Sequence, residues 1–283
     1  LKALVTGAFG QLGRELVTLL GVEAAWSGGR EELDIARAED VDALVGRVRP
    51  DVVFNAAAYN QVDRAESDPG AAIEVNALGA LVLARAARKV GAVLVHFSTD
   101  YVFDGRSPRP YREDDPPAPL GAYGVSKLAG ERLAARGEFL IVRTSGVFGR
   151  GGSRQKGGSF VDRILARARS GQPLRVVSDQ VFSPTYAPDL AGGVLELVRA
   201  GSRGLVHVTN SGACSWHAMA VEALSLSGLS VPVAPITAAS LELPAARPAY
   251  SVLDNARAVS LGLTPLRSWQ DALADSLRSP AAS

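Results

Sequence analysis

The chain has 283 residues, 47% hydrophobic and 21% charged, with 30 basic residues against 29 acidic ones and a net charge of +1 at pH 7. This is the composition of an ordinary soluble globular protein, long enough for one large domain or a main domain with a smaller companion. The charge balance argues against a nucleic-acid face. One cysteine, Cys214, excludes an internal disulfide and favours a reducing, cytoplasmic setting, and neither a signal peptide nor an apolar run of about 18 residues is apparent.

Residues 2–6, Lys-Ala-Leu-Val-Thr, form a short, mostly apolar run that predicts a strand. Gly7-Ala-Phe-Gly10-Gln-Leu-Gly13 follows and leads into a helical run over 14–20. Strand, glycine turn and helix in that order are a dinucleotide signal: the glycines permit a tight turn and close backbone approach, and the helix N-terminus offers free N–H groups to a pyrophosphate. The plainer alternative is a turn that merely needs glycine.

A second strand is predicted over 22–27, ending in Ser27-Gly-Gly-Arg30. An acid at that tip would favour the free 2′-hydroxyl of NAD, whereas an arginine can pair with the 2′-phosphate of NADP. With no acid at the tip and Arg30 close by, the segment points to NADP, with NADH as the alternative and a plain surface role open for Arg30. Asp34-Ile35 could close over the adenine, or Asp34 could cap a helix over 39–48.

Residues 50–58, Pro-Asp-Val-Val-Phe-Asn-Ala-Ala-Ala, read as a strand buried on both faces, with small residues at its carboxyl end where open α/β sheets bind ligands. A helix over 71–90 precedes another buried strand, 92–97, which delivers Ser98-Thr-Asp-Tyr-Val-Phe-Asp-Gly105. Ser98 and Asp104 suit a turn. Thr99 arrives at the same sheet edge as the next element, Tyr123-Gly-Val-Ser-Lys127, at the start of a helical sequence over 127–135. Residues four apart share a helix face, so a phenol and an ammonium would share one site, and the ammonium would lower the phenol's pKa toward neutrality. The plain alternative makes Tyr123 a packing residue and Lys127 a solvated one. The chain has only four lysines, at 2, 89, 127 and 156, which weighs against casual decoration at 127.

A strand over 139–143 completes an alternation that argues a doubly wound α/β sheet over 1–150. Beyond it the pattern changes. A glycine-rich stretch, 149–158, reads as a mobile loop or a solvated connection, followed by helices near 160–170, 189–199, 215–226 and 269–277. Residues 151–283 are expected to form a smaller substrate-binding part interleaved with returns to the sheet. His96, His207 and His217 share no metal-ligand spacing; His96 is expected to be a core histidine with a satisfied ring, and Cys214 a small buried residue with no general base nearby. No metal site is expected.

Taken together, the glycine turn, Asn-Ala-Ala-Ala-Tyr at 55–59, the segments 98–105 and 123–131, Arg-Thr-Ser-Gly-Val-Phe-Gly at 143–149, Asp-Gln-Val-Phe-Ser-Pro-Thr at 179–185 and Arg-Pro-Ala-Tyr-Ser-Val-Leu-Asp-Asn at 247–255 resemble the dTDP-4-dehydrorhamnose reductase family of extended short-chain dehydrogenases. The resemblance implies a Rossmann-type fold in which NADPH delivers hydride to C4 of a dTDP-4-keto sugar while Tyr123 protonates the ketone oxygen. Lys127 would lower the tyrosine's pKa and bond the nicotinamide ribose, and Thr99 would hold the same oxygen. Cofactor contacts would fall on Gly7, Gly10, Gln11, Leu12, Gly13, Asp34, Ile35, Ala56, Ala57, Ala58, Tyr123 and Lys127. Asp100 would touch the sugar and Arg247 the diphosphate; Arg143 is a second candidate for the diphosphate, but its place at a strand end better suits a structural partner. A homodimer is compatible with the resemblance.

Two positions depart from the family pattern. Gly146 stands where the rhamnose-pathway reductases carry a tryptophan against the sugar, and Phe182 where they usually have glycine. The expectation is that the Phe182 ring restores the bulk lost at 146. Two alternatives stay open. One is a non-catalytic regulatory subunit like the β subunit of methionine adenosyltransferase, with a synthetase partner; the other is a sugar-nucleotide epimerase or dehydratase.

Overall fold

A computed structural model describes residues 1–149 and 158–278. Six strands form one parallel sheet in the order β2-β1-β3-β4-β5-β10. These are β1 (Ala3–Thr6), β2 (Ala24–Gly28), β3 (Val52–Asn55), β4 (Val93–Thr99), β5 (Phe139–Thr144) and β10 (Gly204–His207). The connections leave β1 in opposite directions, so β1 and β3 flank the topological switch point, the place where a doubly wound sheet opens a crevice at its carboxyl edge.

Alternation along each strand assigns the two faces. Ala3, Val5, Phe54, Val95 and Val142 face a core with Leu16 and Leu20 of α1 (Gln11–Leu20) and Leu190, Val194 and Leu197 of α8 (Ala187–Arg199). Leu4, Val53, Leu94 and Ile141 face the other, with Val41 and Leu44 of α2 (Ala38–Val48) and Leu83, Ala84 and Ala87 of α5 (Gly79–Val90). Helices α3 (Val62–Ser67) and α4 (Pro69–Ile73) precede a π turn, Glu74–Leu78, that runs into α5. This composite helix, Pro69–Val90, has 22 residues and includes an 18-residue span with a mean hydropathy of 1.4, long and apolar enough by those measures to cross a membrane. Half of that span is buried here, as a core helix packed between α2 and α6 (Ala122–Ala134).

Several boundaries differ from the sequence expectation. Gly21, at φ +51°, ends α1 and residues 21–23 form a 3₁₀ turn with Val22 fully exposed, so β2 starts two residues later than predicted. The small residues 56–58 leave the sheet, because β3 stops at Asn55. The helix predicted over 127–135 starts five residues earlier and takes in Tyr123. Asp34 does not cap α2, whose N-cap is Arg37; its Oδ1 accepts from Ala36 N at 3.0 Å in a local turn.

In the second half, β6 (Val147–Phe148), α7 (Phe160–Arg169), β7 (Leu174–Val177), β8 (Val181–Phe182), β9 (Thr185–Tyr186), β11 (Cys214–Ser215), α9 (Trp216–Leu226), β12 (Val233–Ile236) and α11 (Trp269–Arg278) surround a separate apolar cluster that includes Phe148, Ile164, Phe182, Met219 and Leu273. Helix α8, strand β10 and the short α10 (Ala256–Ser260) belong instead to the main sheet and its core. Apart from its two end residues, the expected mobile loop at 149–158 lies outside the described residues.

Candidate active site

At the switch point Gly7 is at φ +66°, and a Cβ there would stand 2.5 Å from Ala56 C and Ala57 N. Only glycine lets the two strand tips approach this closely. Gly10 N donates to Gly7 O at 2.9 Å and a Cβ on Gly13 would stand 2.1 Å from the same oxygen, so the three glycines form one compact turn opening α1. Gln11 opens that helix and lines a cleft of about 340 Å³; Leu12 packs against the core. The cleft also contains Asn60, Thr99, Asp100, Tyr123, Thr144, Gly146 and Phe182. Three polar atoms in its wall, Gln11 Nε2, Asn60 Oδ1 and Thr144 Oγ1, are buried without a hydrogen-bond partner. Buried groups of that kind normally meet a ligand or water, so the cradle and these orphaned atoms fit a dinucleotide laid over the sheet edge.

The adenosine end differs from the expectation. Ile35 is buried against Gly79 of α5 and belongs to the core. Ala58 is exposed, whereas Ala56 and Ala57 flank Gly7. An acid does reach the tip of β2: Glu32 Oε2 accepts from Gly29 N at 2.8 Å, with Arg30 exposed beside it. Glu32 escaped notice because it folds back from five residues past Ser27.

Thr99 ends β4 and caps the short turn Asp100–Val102, its Oγ1 accepting from Tyr101 N at 3.2 Å and donating to Asp100 Oδ1 at 3.0 Å. Asp100 also takes Ser145 Oγ at 2.8 Å and Ser251 Oγ at 2.5 Å. Burial raises its pKa, and the three hydroxyls oppose that rise. Asp100 thus binds three protein hydroxyls at the cleft wall, and neither serine was foreseen, since Ser251 comes from 151 residues away.

Tyr123 lines the cleft, hydrogen-bonded to Thr99 and edge-on to Tyr101 with centroids 5.8 Å apart. Burial, and next the Asp100 charge, push its phenol up to about 12. This reverses the expected lowering by Lys127. The lysine shares the helix face, but its Nζ donates to Phe97 O at 2.5 Å in the neighbouring strand. Burial lowers the Lys127 ammonium to about 8 against an opposing contribution from Glu131. Arg143 has the structural partner its position suggested: it donates to Glu131 through Nε at 2.8 Å and Nη2 at 2.7 Å, both groups buried.

Gly146, at φ +51°, lies against Phe182, whose Cε2 would be 2.2 Å from a Cβ at 146. The ring therefore stands where a side chain at 146 would begin. It stacks on Trp216 at 4.0 Å, and Trp216 meets Phe160 edge-on at 4.8 Å, so an aromatic wall closes this end of the cleft. Gly146→Trp alone is expected to lower the melting temperature sharply, through ring overlap plus about 1–2 kcal/mol of left-handed backbone strain. Adding Phe182→Gly should remove the overlap and leave the strain. Thermal scans of both variants check this, and equal melting temperatures would contradict the packing described.

Arg247 does not line the cleft. Its Nη2 pairs with Asp63 Oδ2 at 2.7 Å and its Nη1 donates to Ala245 O at 2.8 Å, so it already has a carboxylate partner, 184 residues away in sequence. Arg163 of α7 does line the cleft. His96 Nδ1 meets Asn55 Nδ2 at 3.1 Å, but its Nε2 has no partner, so the ring is only half satisfied; burial keeps it neutral. Cys214 is buried, its thiol pushed up to about 12 by burial. Among the described residues no group of three or more His, Cys, Asp or Glu is placed to hold a metal ion.

Comparison with known proteins places this geometry in context. The family model described as the RmlD substrate binding domain matches residues 1–281. A dTDP-4-dehydrorhamnose reductase from Streptomyces griseus is 44% identical over 286 residues, covering 96% of this chain and 92% of that one. A probable dTDP-4,6-dihydroxy-2-methyloxan-3-one 4-ketoreductase from Streptomyces antibioticus is 42% identical, covering 96% and 93%. The crystal structure of dTDP-4-dehydrorhamnose reductase from Bacillus anthracis in complex with NADP superposes with a TM-score of 0.93 at 35% identity, covering 98% of each chain.

Proposed function

The chain belongs to the family of the RmlD substrate binding domain, and from that premise we propose that it is an NADPH-dependent reductase converting dTDP-4-keto-L-rhamnose to dTDP-L-rhamnose. The observation that carries this reading is the hydrogen-bonded pair of Thr99 and Tyr123 in the cleft at the carboxyl edge of the sheet, beside the Gly7 cradle, with Lys127 buried one helical turn on from Tyr123. The NADP complex of the Bacillus anthracis relative supports the cofactor, with NADH as the alternative. Gly7, Gly10, Gln11, Leu12, Gly13, Ala56 and Ala57 would hold the dinucleotide.

NADPH, when bound, supplies the hydride for C4. Each remaining step falls to the protein. Tyr123 is a neutral phenol across the physiological range, because burial and Asp100 hold its pKa near 12. It is therefore charged with the proton that the developing alkoxide needs. The Thr99 proton is directed at Asp100, which leaves its oxygen to accept from the phenol until substrate arrives. Asp100 fixes Thr99, and the Ser145 and Ser251 hydroxyls hold Asp100 in turn. Lys127 places a cation behind the phenol as negative charge develops.

The residues past 150 would form the substrate side of the cleft, with Phe182 and Trp216 facing the deoxysugar. A guanidinium binds phosphate oxygens through paired bonds. Arg247 could do so only by leaving Asp63, while Arg163 lines the cleft as a second donor. Turnover with NADPH deuterated at its transferable position tests the reading: the expected product carries deuterium at C4, and a protein that oxidises no NADPH with this keto sugar would overturn it.

A further inference from the structure

Helix α6 carries a third ionisable group on the face of Tyr123 and Lys127. Glu131 lies one turn past Lys127, which brings i and i+4 side chains together. It is 3% exposed, does not line the cleft, and is fully engaged. Ser98 Oγ donates to its Oε1 at 2.5 Å, and Arg143 donates Nε to Oε1 and Nη2 to Oε2. Consecutive residues of β4 hold the two charges, since Phe97 O accepts from Lys127 Nζ and Ser98 reaches Glu131. From the cleft inward the buried charges alternate: ammonium, carboxylate, guanidinium.

We propose that Glu131, anchored by Ser98 and Arg143, is a positioning residue that keeps the buried Lys127 ammonium charged beneath Tyr123, acting on the reaction only through Lys127. The proposal rests on the reading of Lys127 as a catalytic group. A buried lysine loses its proton easily unless an opposite charge lies near. Glu131 is the neighbour that opposes the effect of burial on Lys127. The other groups around the lysine do not substitute for it. His96 of β4 is held neutral, partly by Lys127 itself, and Tyr123 is a neutral phenol. Asp100, in the turn after β4, is committed to three hydroxyls, Glu66 of α3 takes the Ala122 N–H at the start of α6, and the π turn presents the uncharged Asn76 to Ser126. Arg143, from β5, lies across Glu131 and donates to both of its oxygens, the second cation of the row.

The chain's four lysines make the test direct. Lysine labelled with ¹³C at the ε position gives four signals in the full-length protein, and the signal lost in Lys127→Met is that of Lys127. Its midpoint is expected below the ordinary lysine value in wild type, lower by about one further pH unit, a tenfold loss of proton affinity, in Glu131→Gln, and higher than wild type in Arg143→Gln. Opposite shifts from the two variants are not what a purely structural ion pair would produce. An unchanged midpoint in folded Glu131→Gln overturns the proposal, and so does a downward shift in Arg143→Gln. If Glu131→Gln fails to fold, Arg143→Gln decides alone. The titration needs no turnover, so failure of the keto sugar as substrate would overturn the reductase reading and leave this result standing. Where turnover is seen, the alkaline limb of NADPH oxidation should move with the lysine midpoint in each variant.

Discussion

Tyr123→Phe should lower kcat for keto-sugar reduction by about 10²- to 10⁴-fold, the range for removing a positioned general acid. The substitution deletes one oxygen and leaves the ring edge-on to Tyr101, so folding should be unaffected. The phenol is the proton source in this account because it is the group at the cleft wall whose proton is held firmly and yet close to Thr99. The pH dependence has a definite sign. Tyr123 stays protonated up to about 12, so it sets no limb in the neutral range, whereas Lys127 is charged below about 8 and neutral above. Reduction should therefore be fastest below pH 8 and fall as pH rises through the Lys127 midpoint. Steady-state rates across pH for wild type and Tyr123→Phe check both statements; a folded Tyr123→Phe that turns over like wild type would sink the assignment.

Gly7→Ala should weaken NADPH binding by about 10- to 100-fold, equivalent to about 1.4–2.8 kcal/mol. Two costs combine. The added methyl would meet Ala56 C and Ala57 N at 2.5 Å, and φ +66° places an alanine in the left-handed region. Relief requires β1 and β3 to part at their carboxyl tips, which is where the dinucleotide cradle lies. Calorimetric titration with NADPH reads the effect without turnover, and wild-type affinity in this variant would show that the cofactor lies elsewhere.

The sequence made the local features legible. The glycine turn, the buried strands and the Tyr123 to Lys127 spacing each depend on residues within one turn or one strand, where periodicity and turn chemistry act. What it hid depends on contacts between distant segments. Ser251 reaches Asp100 across 151 residues, Arg247 is taken by Asp63 across 184, and Arg143 meets Glu131 across a strand and a helix. Spacing put Lys127 on the correct helix face yet could not show that a strand carbonyl, Phe97 O, would claim its ammonium. Glu32 was missed for a nearer reason: the loop after β2 doubles back onto Gly29 N. Gly146 and Phe182 stood out because they break a family pattern together, and the ring of one occupies the space beside the other.

The most direct measurement of the central claim is NADPH oxidation by the purified wild-type chain on addition of dTDP-4-keto-L-rhamnose, with the sugar nucleotide product separated and identified. The account predicts one dTDP-L-rhamnose formed for each NADPH consumed. Intact keto sugar after prolonged incubation with a protein that still binds NADPH would contradict it.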